Sequence, residues 1–218
     1  MCDRYTPPSM LDVEREWAIG RQNPQRWWDV VVYPRGRGLF LRRGRSNSGD
    51  TKELVVGRWG LIPSYAKEPD GKWPHNARAE DLDFEADCRQ AWQRAQRCII
   101  PATDFNELNW ATGRNVWWRF CRKDGRPWGL AGLWNAWIDT ASGEVHESYT
   151  MLTINADSHP LMTRMQGPDA QRAATKQDKR SVVPLDPNDY SLWLAGTVDE
   201  ARSLLQTPNM EMIDAAPA

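Results

Sequence analysis

The sequence predicts an α+β fold, a single domain built around a strongly bent antiparallel sheet with a few peripheral helices. Short strand-like runs alternate with isolated helical segments, without the regular strand–helix repetition of a parallel α/β fold. A chain of 218 residues suits one well-buried core and is short for two domains. No internal repeat or linker divides it. We therefore expect one domain over residues 1–206 and a loose C-terminal tail over residues 207–218.

Strands are predicted where β-branched and aromatic residues lie between turn-forming residues. In chain order these segments are 30–33, 39–41, 53–56, 98–101, 116–120, 128–134 and 149–154.

Three segments are predicted to be helical. Residues 190–194 form one, and residues 198–205 form another that opens with a capping box of Thr197 and Glu200. In the third, residues 81–96, the apolar positions share one face: Leu82, Phe84, Cys88, Trp92 and Ala95.

The composition excludes several classes of protein. The 28 basic and 29 acidic residues nearly cancel, so any nucleic-acid site must be a local basic patch. The four cysteines contain no CxxC pair and the three histidines have no metal-ligand spacing, so we predict no metal, cofactor or disulfide scaffold. No apolar run reaches the length of a membrane span, and the N-terminus does not begin a signal peptide. We expect a cytoplasmic, thiol-reducing compartment and no membrane partner.

Tryptophan and arginine are the two residue types that could contact nucleic acid. Most of the 13 tryptophans must be core, and a few could stack on bases. Arg35 and Arg37 lie in the turn after the first predicted strand. This turn is either a solvated hairpin or a strip that contacts phosphates.

Cys2 is the first candidate for chemistry. Removal of Met1, which is common when the second residue is small, would leave a free α-amine and a thiol on adjacent carbons. The α-amine titrates well below lysine, so part of it is neutral at pH 7 and can attack an aldehyde. The thiol can then close a five-membered thiazolidine ring. The alternative is a small cysteine packed under the sheet.

Five short motifs occur in a fixed order and carry a family resemblance. They are MCDR at 1–4, RWGLIP at 58–63, NARAE at 76–80, RCIIPA at 97–102 with Phe105 and Glu107 following, and AGLW at 131–134. In this order the chain resembles the SOS-response-associated peptidase (SRAP) family, with its MCGR, RWGLIP, NAR-x-E, RCLIPA with F-x-E, and AGLW blocks. The resemblance runs from residue 1 to about residue 195.

The resemblance implies a fold and a function. SRAP proteins are single α+β domains with a pseudo-barrel sheet and a positively charged cleft. They join an N-terminal cysteine covalently to the ring-opened aldehyde of an abasic site in single-stranded DNA, which shields the lesion. Residues ahead of the cysteine are thought to be removed autocatalytically. The implied location is the cytoplasm, on the nucleoid when the protein is bound to DNA.

Matching motifs imply roles for individual residues. Asn76 would orient the sugar aldehyde or the amine beside Cys2, and Glu107, just beyond a predicted strand, would move protons. Arg78 and Arg4 would contact phosphates, and Glu80 would support Arg78. Without the motifs, Asn76 would be read as a turn or cap residue, Arg78 as half of a surface ion pair and Glu107 as surface charge.

The chain departs from the family pattern at the start and after the RWGLIP block. Asp3 replaces the glycine that follows the cysteine, which adds negative charge beside DNA phosphates. Tyr65 and Ala66 stand where many members carry a tryptophan pair. Tyr65 can still stack on a base, whereas Ala66 cannot.

The position of the family's catalytic histidine has two candidates. His159, in an HPLM run, is the histidine in this region, and Gln166 follows Arg-Met where one family branch carries a histidine. We favour Gln166 at that position, with His159 as a structural neighbour. Glutamine can hydrogen-bond a sugar oxygen but cannot transfer a proton at neutral pH. Residues 167–180, which follow, are polar and predicted to be an insertion loop.

Two other functions remain open. One is a damage-binding SRAP relative that cross-links slowly or not at all, which Asp3 and Gln166 favour. The other is an N-terminal-nucleophile peptidase in which Cys2 attacks amides, which would require an oxyanion hole and a peptide-shaped cleft.

Overall fold

The computed structural model of the protein describes residues 2–19, 27–44, 52–168 and 177–218. Four short helices lie within these ranges: α1 (Met10–Glu16), α2 (Ala86–Gln93), α3 (Tyr190–Ala195) and α4 (Val198–Ser203). The strands of the same ranges are β1 (Tyr5–Thr6), β2 (Arg37–Arg43), β3 (Lys52–Trp59), β4 (Asn76–Arg78), β5 (Arg97–Ala102), β6 (Asp104–Asn109), β7 (Val116–Arg122), β8 (Trp128–Ile138), β9 (Val145–Asn155), β10 (Arg180–Val182) and β11 (Ile213–Pro217).

The larger sheet closes into a barrel. Its order is β10-β9-β3-β2-β5-β8, and β8 pairs with β9 to complete a ring of five strands, β9, β3, β2, β5 and β8. The predicted α+β class and pseudo-barrel are confirmed, but the sheet is mixed rather than antiparallel. Both β3 and β4 pair with β9 in parallel. Two strands joined by a tight turn must be antiparallel. Because β4 to β8 lie between β3 and β9 in the chain, no such turn joins these two strands and they can pair in parallel.

The barrel strands are buried on both faces, which explains their apolar runs. On β5, Ile99 packs into one cluster with Leu133 and the helical residues Trp92 and Trp193. Its neighbour Ile100 packs into a second cluster. The expectation that most of the 13 tryptophans are core is wrong, because eight are half-buried or exposed and five are buried: Trp17, Trp59, Trp92, Trp128 and Trp193.

A second, four-stranded sheet has the order β1-β6-β7-β11 and is antiparallel throughout. It brings the N-terminal segment against β6. Gly38 of the barrel makes this approach possible, because a Cβ there would lie within about 2 Å of the Tyr5 and Tyr149 hydroxyls. Those hydroxyls are hydrogen-bonded at 2.5 Å, which ties β1 to the barrel.

Several predicted elements differ from the observed ones. Residues 30–33 form no strand and contribute only a bridge between Val32 and Tyr5. The helix expected over 81–96 is reduced to α2, and Phe84, which the pattern placed on its apolar face, lies outside it and is 81% exposed. Residues 207–218 are not a loose tail, since β11 pairs with β7 along its whole length.

The insertion loop expected over 167–180 extends one residue too far, because a strand begins at residue 180. Its last residue, Arg180, begins β10, which pairs with β9 and is buried. Residues 169–176 lie outside the described ranges. The helices α3 and α4 are confirmed, and the capping box of Thr197 and Glu200 is present.

Within the described ranges, no helix is both long and apolar enough to cross a membrane.

Candidate functional site

Cys2 is fixed by the pairing of the N-terminal segment with β6. Its side chain is fully buried, and its thiol donates to the carbonyl of Arg4 over 3.4 Å. That same carbonyl accepts the backbone N–H of Asn106 at 3.0 Å. Burial, and then the nearby negative charge of Glu107, raise the pKa of the Cys2 thiol far above its ordinary value. The thiol is therefore neutral at physiological pH.

Asn76 holds the main chain of Cys2. It is the first residue of β4, and its Nδ2 donates to the Cys2 carbonyl at 2.6 Å. Its Oδ1 is buried and accepts no hydrogen bond from the described part of the chain. An amide in this position still has an acceptor available for an N–H or O–H group that enters the site.

Glu107 lies within β6, and not beyond a strand end as the sequence suggested. It is 2% exposed. Burial raises the pKa of Glu107 to about 7, while a hydrogen bond from Gln166 acts in the opposite direction. A carboxyl that titrates near neutrality can both accept and donate a proton at physiological pH.

Gln166, which is 59 residues after Glu107 in the sequence, contacts it in the folded chain. Its Nε2 donates to Glu107 Oε2 at 3.1 Å. Its backbone N–H donates to the Leu108 carbonyl at 2.5 Å, so residue 166 is attached to β6 through main chain as well as side chain. It adopts a left-handed backbone conformation with φ of 57°. Of the two candidates for the histidine position, Gln166 is the one that contacts Glu107.

His159 is engaged elsewhere. It is 6% exposed, and its Nε2 lies 2.9 Å from the Pro208 carbonyl. Its Nδ1 accepts the backbone N–H groups of Leu161 and Met162 at 3.3 and 3.1 Å. Both ring nitrogens are thus occupied by main-chain groups, an arrangement that fixes the orientation of the ring and the turn around it.

An open cavity of roughly 450 Å³ lies beside Glu107 and Gln166. Asp3 lines it and its carboxylate lies 2.8 Å from Nε2 of His75, a neighbour that the sequence did not indicate. The Arg4 guanidinium lies 5.9 Å from the centre of the ring of Trp117, one of the wall residues. The walls contain charged, amide and aromatic side chains: Asp3, Glu107, Trp110, Asn115, Trp117 and Gln166. This cavity is the candidate site.

The remaining predicted DNA contacts lie at different places. Arg78 forms an ion pair with Asp178. Tyr65 is 59% exposed, and its hydroxyl donates to the Asp87 carboxylate. Arg35 is exposed in a turn with φ of 71°. Arg37 lines a separate cavity of roughly 500 Å³ on the barrel.

Glu80 supports a different arginine from the one expected. Its carboxylate binds Arg180 at 2.7 and 3.2 Å and accepts the backbone N–H of Asn155 at 2.7 Å, so it does not buttress Arg78. Sequence reasoning missed Arg180, Trp110 and Trp117. None of the three belongs to a motif, and no spacing rule connects residues that meet only after the sheets form.

Comparison with known proteins places this geometry in a family. The family model "SOS response associated peptidase (SRAP)" matches residues 1–218. A Bacillus subtilis (strain 168) protein named abasic site processing protein YoqW is 30% identical over 223 residues, 99% of this chain and 91% of that protein. Abasic site processing protein HMCES of Xenopus tropicalis is 23% identical over 54% of this chain and 42% of its own.

Solved structures agree. A Bordetella bronchiseptica protein superimposes with a TM-score of 0.84 at 34% identity, covering 100% of this chain and 99% of the other. A Bacteroides thetaiotaomicron protein has a TM-score of 0.79 at 22% identity, covering 99% and 91%, and this likeness concerns the fold alone. With its family motifs, its barrel and a family match along its whole length, this chain belongs to the SOS response associated peptidase family.

Proposed function

We propose that this protein processes abasic sites by covalent capture, with Cys2 as the nucleophile and single-stranded DNA as the partner. The observation that carries the proposal is the position of Cys2, which is buried, is held by the Asn76 amide and lies close enough to Glu107 to feel its charge, while its neighbour Asp3 and Glu107 line an open cavity. The names of the relatives support abasic-site processing as the activity. Capture requires that Met1 be removed first, either by the protein itself or by an aminopeptidase.

The reaction conserves every atom except one molecule of water. The neutral α-amine of Cys2 adds to the C1′ aldehyde of the ring-opened deoxyribose, and loss of water gives an imine. The thiol sulfur then bonds to the same carbon, and its proton ends on the nitrogen. The product is a thiazolidine, in which the carbon is attached to both sulfur and nitrogen. No oxidant, reductant or metal is required.

Glu107 is the proton carrier in this scheme. Dehydration of the initial adduct needs an acid, and addition of a neutral thiol needs a base. A carboxyl with a pKa of about 7 can serve as both in succession. Because the Cys2 thiol is neutral at physiological pH, proton removal must accompany its attack, which makes a nearby base necessary.

Asn76 and the rim of the cavity position the two reactants. Asn76 holds the Cys2 carbonyl and has a free acceptor for the amine or for the sugar hydroxyl. Arg4 and Arg78 are the proposed phosphate contacts, with Arg78 exchanging Asp178 for a phosphate. Trp117 offers a flat surface beside Arg4 on which a base can stack. This role implies action in the cytoplasm, on the chromosome.

The test is a denaturing gel of the protein with a single-stranded oligonucleotide that contains one abasic site. We expect a heat-stable protein–DNA band with the parent and none with Cys2→Ala. Cys121→Ala is the matched control, a partly buried cysteine on β7, and should retain the band. Intact mass spectrometry of the same sample should show the loss of Met1. An undiminished band in Cys2→Ala would overturn the mechanism.

Two outcomes would favour the alternatives. Tight binding to abasic DNA without a covalent band would identify a damage-binding protein in which Asp3 and Gln166 have reduced the chemistry. Cleavage of a fluorogenic peptide panel that depends on Cys2 would instead support a peptidase.

A further inference from the structure

The amide of Gln166 is held in one orientation by the main chain of Arg180. The Arg180 N–H donates to Gln166 Oε1 at 3.2 Å, and Gln166 Nε2 donates to the Arg180 carbonyl at 3.1 Å. Because a backbone N–H can only donate, the oxygen of the amide must face it, and the nitrogen must face Glu107. The two ends of this side chain therefore cannot be exchanged without loss of both bonds.

The hydrogen bonds use both N–H groups of the amide. One goes to the Arg180 carbonyl and the other to Glu107 Oε2 at 3.1 Å. An amide nitrogen has two hydrogens to donate, so none is left for a sugar oxygen. Both donors of Gln166 are thus directed at Glu107 and at the Arg180 carbonyl.

We propose that Gln166 is a positioning residue for the capture reaction: clamped by Arg180, it donates to Glu107 and fixes the orientation of that carboxyl in the wall of the cavity. This inference rests on the proposed function of Glu107. It assigns proton transfer to Glu107 alone, because the group at the family's histidine position in this chain cannot exchange protons at neutral pH.

The main chain of Arg180, which holds Gln166, is itself fixed by the bonds of the Arg180 side chain. Arg180 is 4% exposed on β10, and its guanidinium binds the Glu80 carboxylate at 2.7 and 3.2 Å and the Thr153 carbonyl at 2.8 Å. A buried arginine with these bonds fixes the main chain at residue 180, and with it the groups that grip Gln166. The glutamate of the NARAE motif therefore acts on Glu107 at a distance, through Arg180 and Gln166.

The effect on Glu107 has a defined sign. A hydrogen bond donated to a carboxylate stabilises the charged form and lowers its pKa. Among the described residues Asp3 also acts on Glu107, and its negative charge raises the pKa of that carboxyl. Removal of the Gln166 donor should raise the titration midpoint of Glu107 by about one pH unit.

The first measurement is made without DNA. The carboxyl of Glu107 is followed by carbon-13 NMR in protein labelled at glutamate, with its signal assigned by its loss in Glu107→Gln. We expect the midpoint to rise in Gln166→Met, which keeps the length of the side chain and removes the donor. Gln206→Met is the matched control, an exposed glutamine bonded to the Ser203 carbonyl, and should leave the midpoint unchanged.

The second measurement is the single-turnover rate of adduct formation from mild acid to mild base. The part of the rate–pH profile that reports Glu107 is identified by its absence in Glu107→Gln. In Gln166→Met this part should move to higher pH by the same amount as the NMR midpoint of Glu107. An unchanged Glu107 midpoint, or a rate that falls equally at every pH, overturns the proposal. A shifted midpoint without any adduct supports the positioning role and refutes the capture function.

A second variant covers the case in which Gln166→Met does not fold. Gln166→Glu keeps the shape and an oxygen for the Arg180 N–H, but it puts a second carboxyl against Glu107. Its Glu107 midpoint should rise further than that of Gln166→Met, because like charges disfavour ionisation. An unshifted midpoint in this variant would also overturn the proposal.

Discussion

At the scale of the residue, burial of the Glu107 carboxyl has a thermodynamic cost as well as the catalytic use proposed above. Its pKa rises from 4.5 to about 7 on folding, so the folded state holds the proton more tightly than the unfolded chain. Stability from this group is therefore fully present below about pH 4.5 and is lost as the pH rises through about 7. The loss above that range is on the order of 3 kcal/mol.

Glu107→Gln should remove this pH dependence. Glutamine can still accept the hydrogen bond from Gln166 and carries no charge to desolvate. Urea denaturation at a series of pH values should give the variant a free energy of unfolding higher than that of the parent, by up to about 3 kcal/mol, above pH 7. The difference should vanish near pH 4. Glu68→Gln, at an exposed site, is the control and should follow the parent throughout. A difference that does not vary with pH would show that folding leaves the titration of Glu107 unchanged.

The sequence indicated the residues around Cys2 but not how they meet. Motif order identified Cys2, Asn76 and Glu107, and these three lie together. The clamp of Gln166 by Arg180 could not be predicted, because it depends on the return of the chain through residues outside any motif. The family resemblance indicated that Gln166 stands where one branch carries a histidine. Only the folded chain shows which groups Gln166 contacts.

At the scale of the element, β6 and β11 show where the hydrophobic pattern fails. On β6 the polar residues Asp104, Asn106, Glu107 and Asn109 are all buried, so the alternation typical of a half-exposed strand is absent. A strand that builds a polar site is expected to break that rule. On β11 the sequence IDAAP has few strand-forming residues, and the strand exists because β7 offers an edge to pair with.

Ile213→Ala should show that β11 is an integral part of the domain. Ile213 is 5% exposed in the cluster that also contains Cys2 and Phe120, so its truncation should cost about 2–4 kcal/mol of unfolding free energy. Asp214→Ala, the next residue and exposed, should change stability by less than about 0.5 kcal/mol. Chemical denaturation of both variants makes the comparison. If both variants changed the free energy of unfolding by equally small amounts, β11 would contribute little to the stability of the domain.

At the scale of the whole molecule, the near-zero net charge limits how the protein can attract DNA. A formal charge of −1 supplies no long-range attraction, so the electrostatic part of the proposed DNA affinity must come from individual arginines that contact phosphates. The salt dependence of binding then counts those contacts. Each proposed phosphate contact can therefore be tested by the change in salt dependence when its arginine is replaced.

Arg78→Ala should weaken binding to single-stranded DNA and flatten its salt dependence. Loss of one phosphate contact should reduce the slope of log affinity against log salt by about 0.7. Arg15→Ala removes an exposed arginine of α1 that is ion-paired with Asp12, and its slope should equal that of the parent. Fluorescence anisotropy in a salt series, with Cys2→Ala as the background to prevent cross-linking, gives both values. Parallel lines for Arg78→Ala and the background would remove Arg78 from the interface.

The order of strands in the smaller sheet also has a consequence for synthesis on the ribosome. Its centre is the β6–β7 pair, and its two outer strands, β1 and β11, come from early and late parts of the chain. The outer edge of β7, over Trp118 to Arg122, is therefore uncovered until β11 has been translated. An open edge of this kind pairs readily with other strands. Products truncated before residue 213 should therefore self-associate through β7, even though the Cys2 segment can already pair with β6 in them.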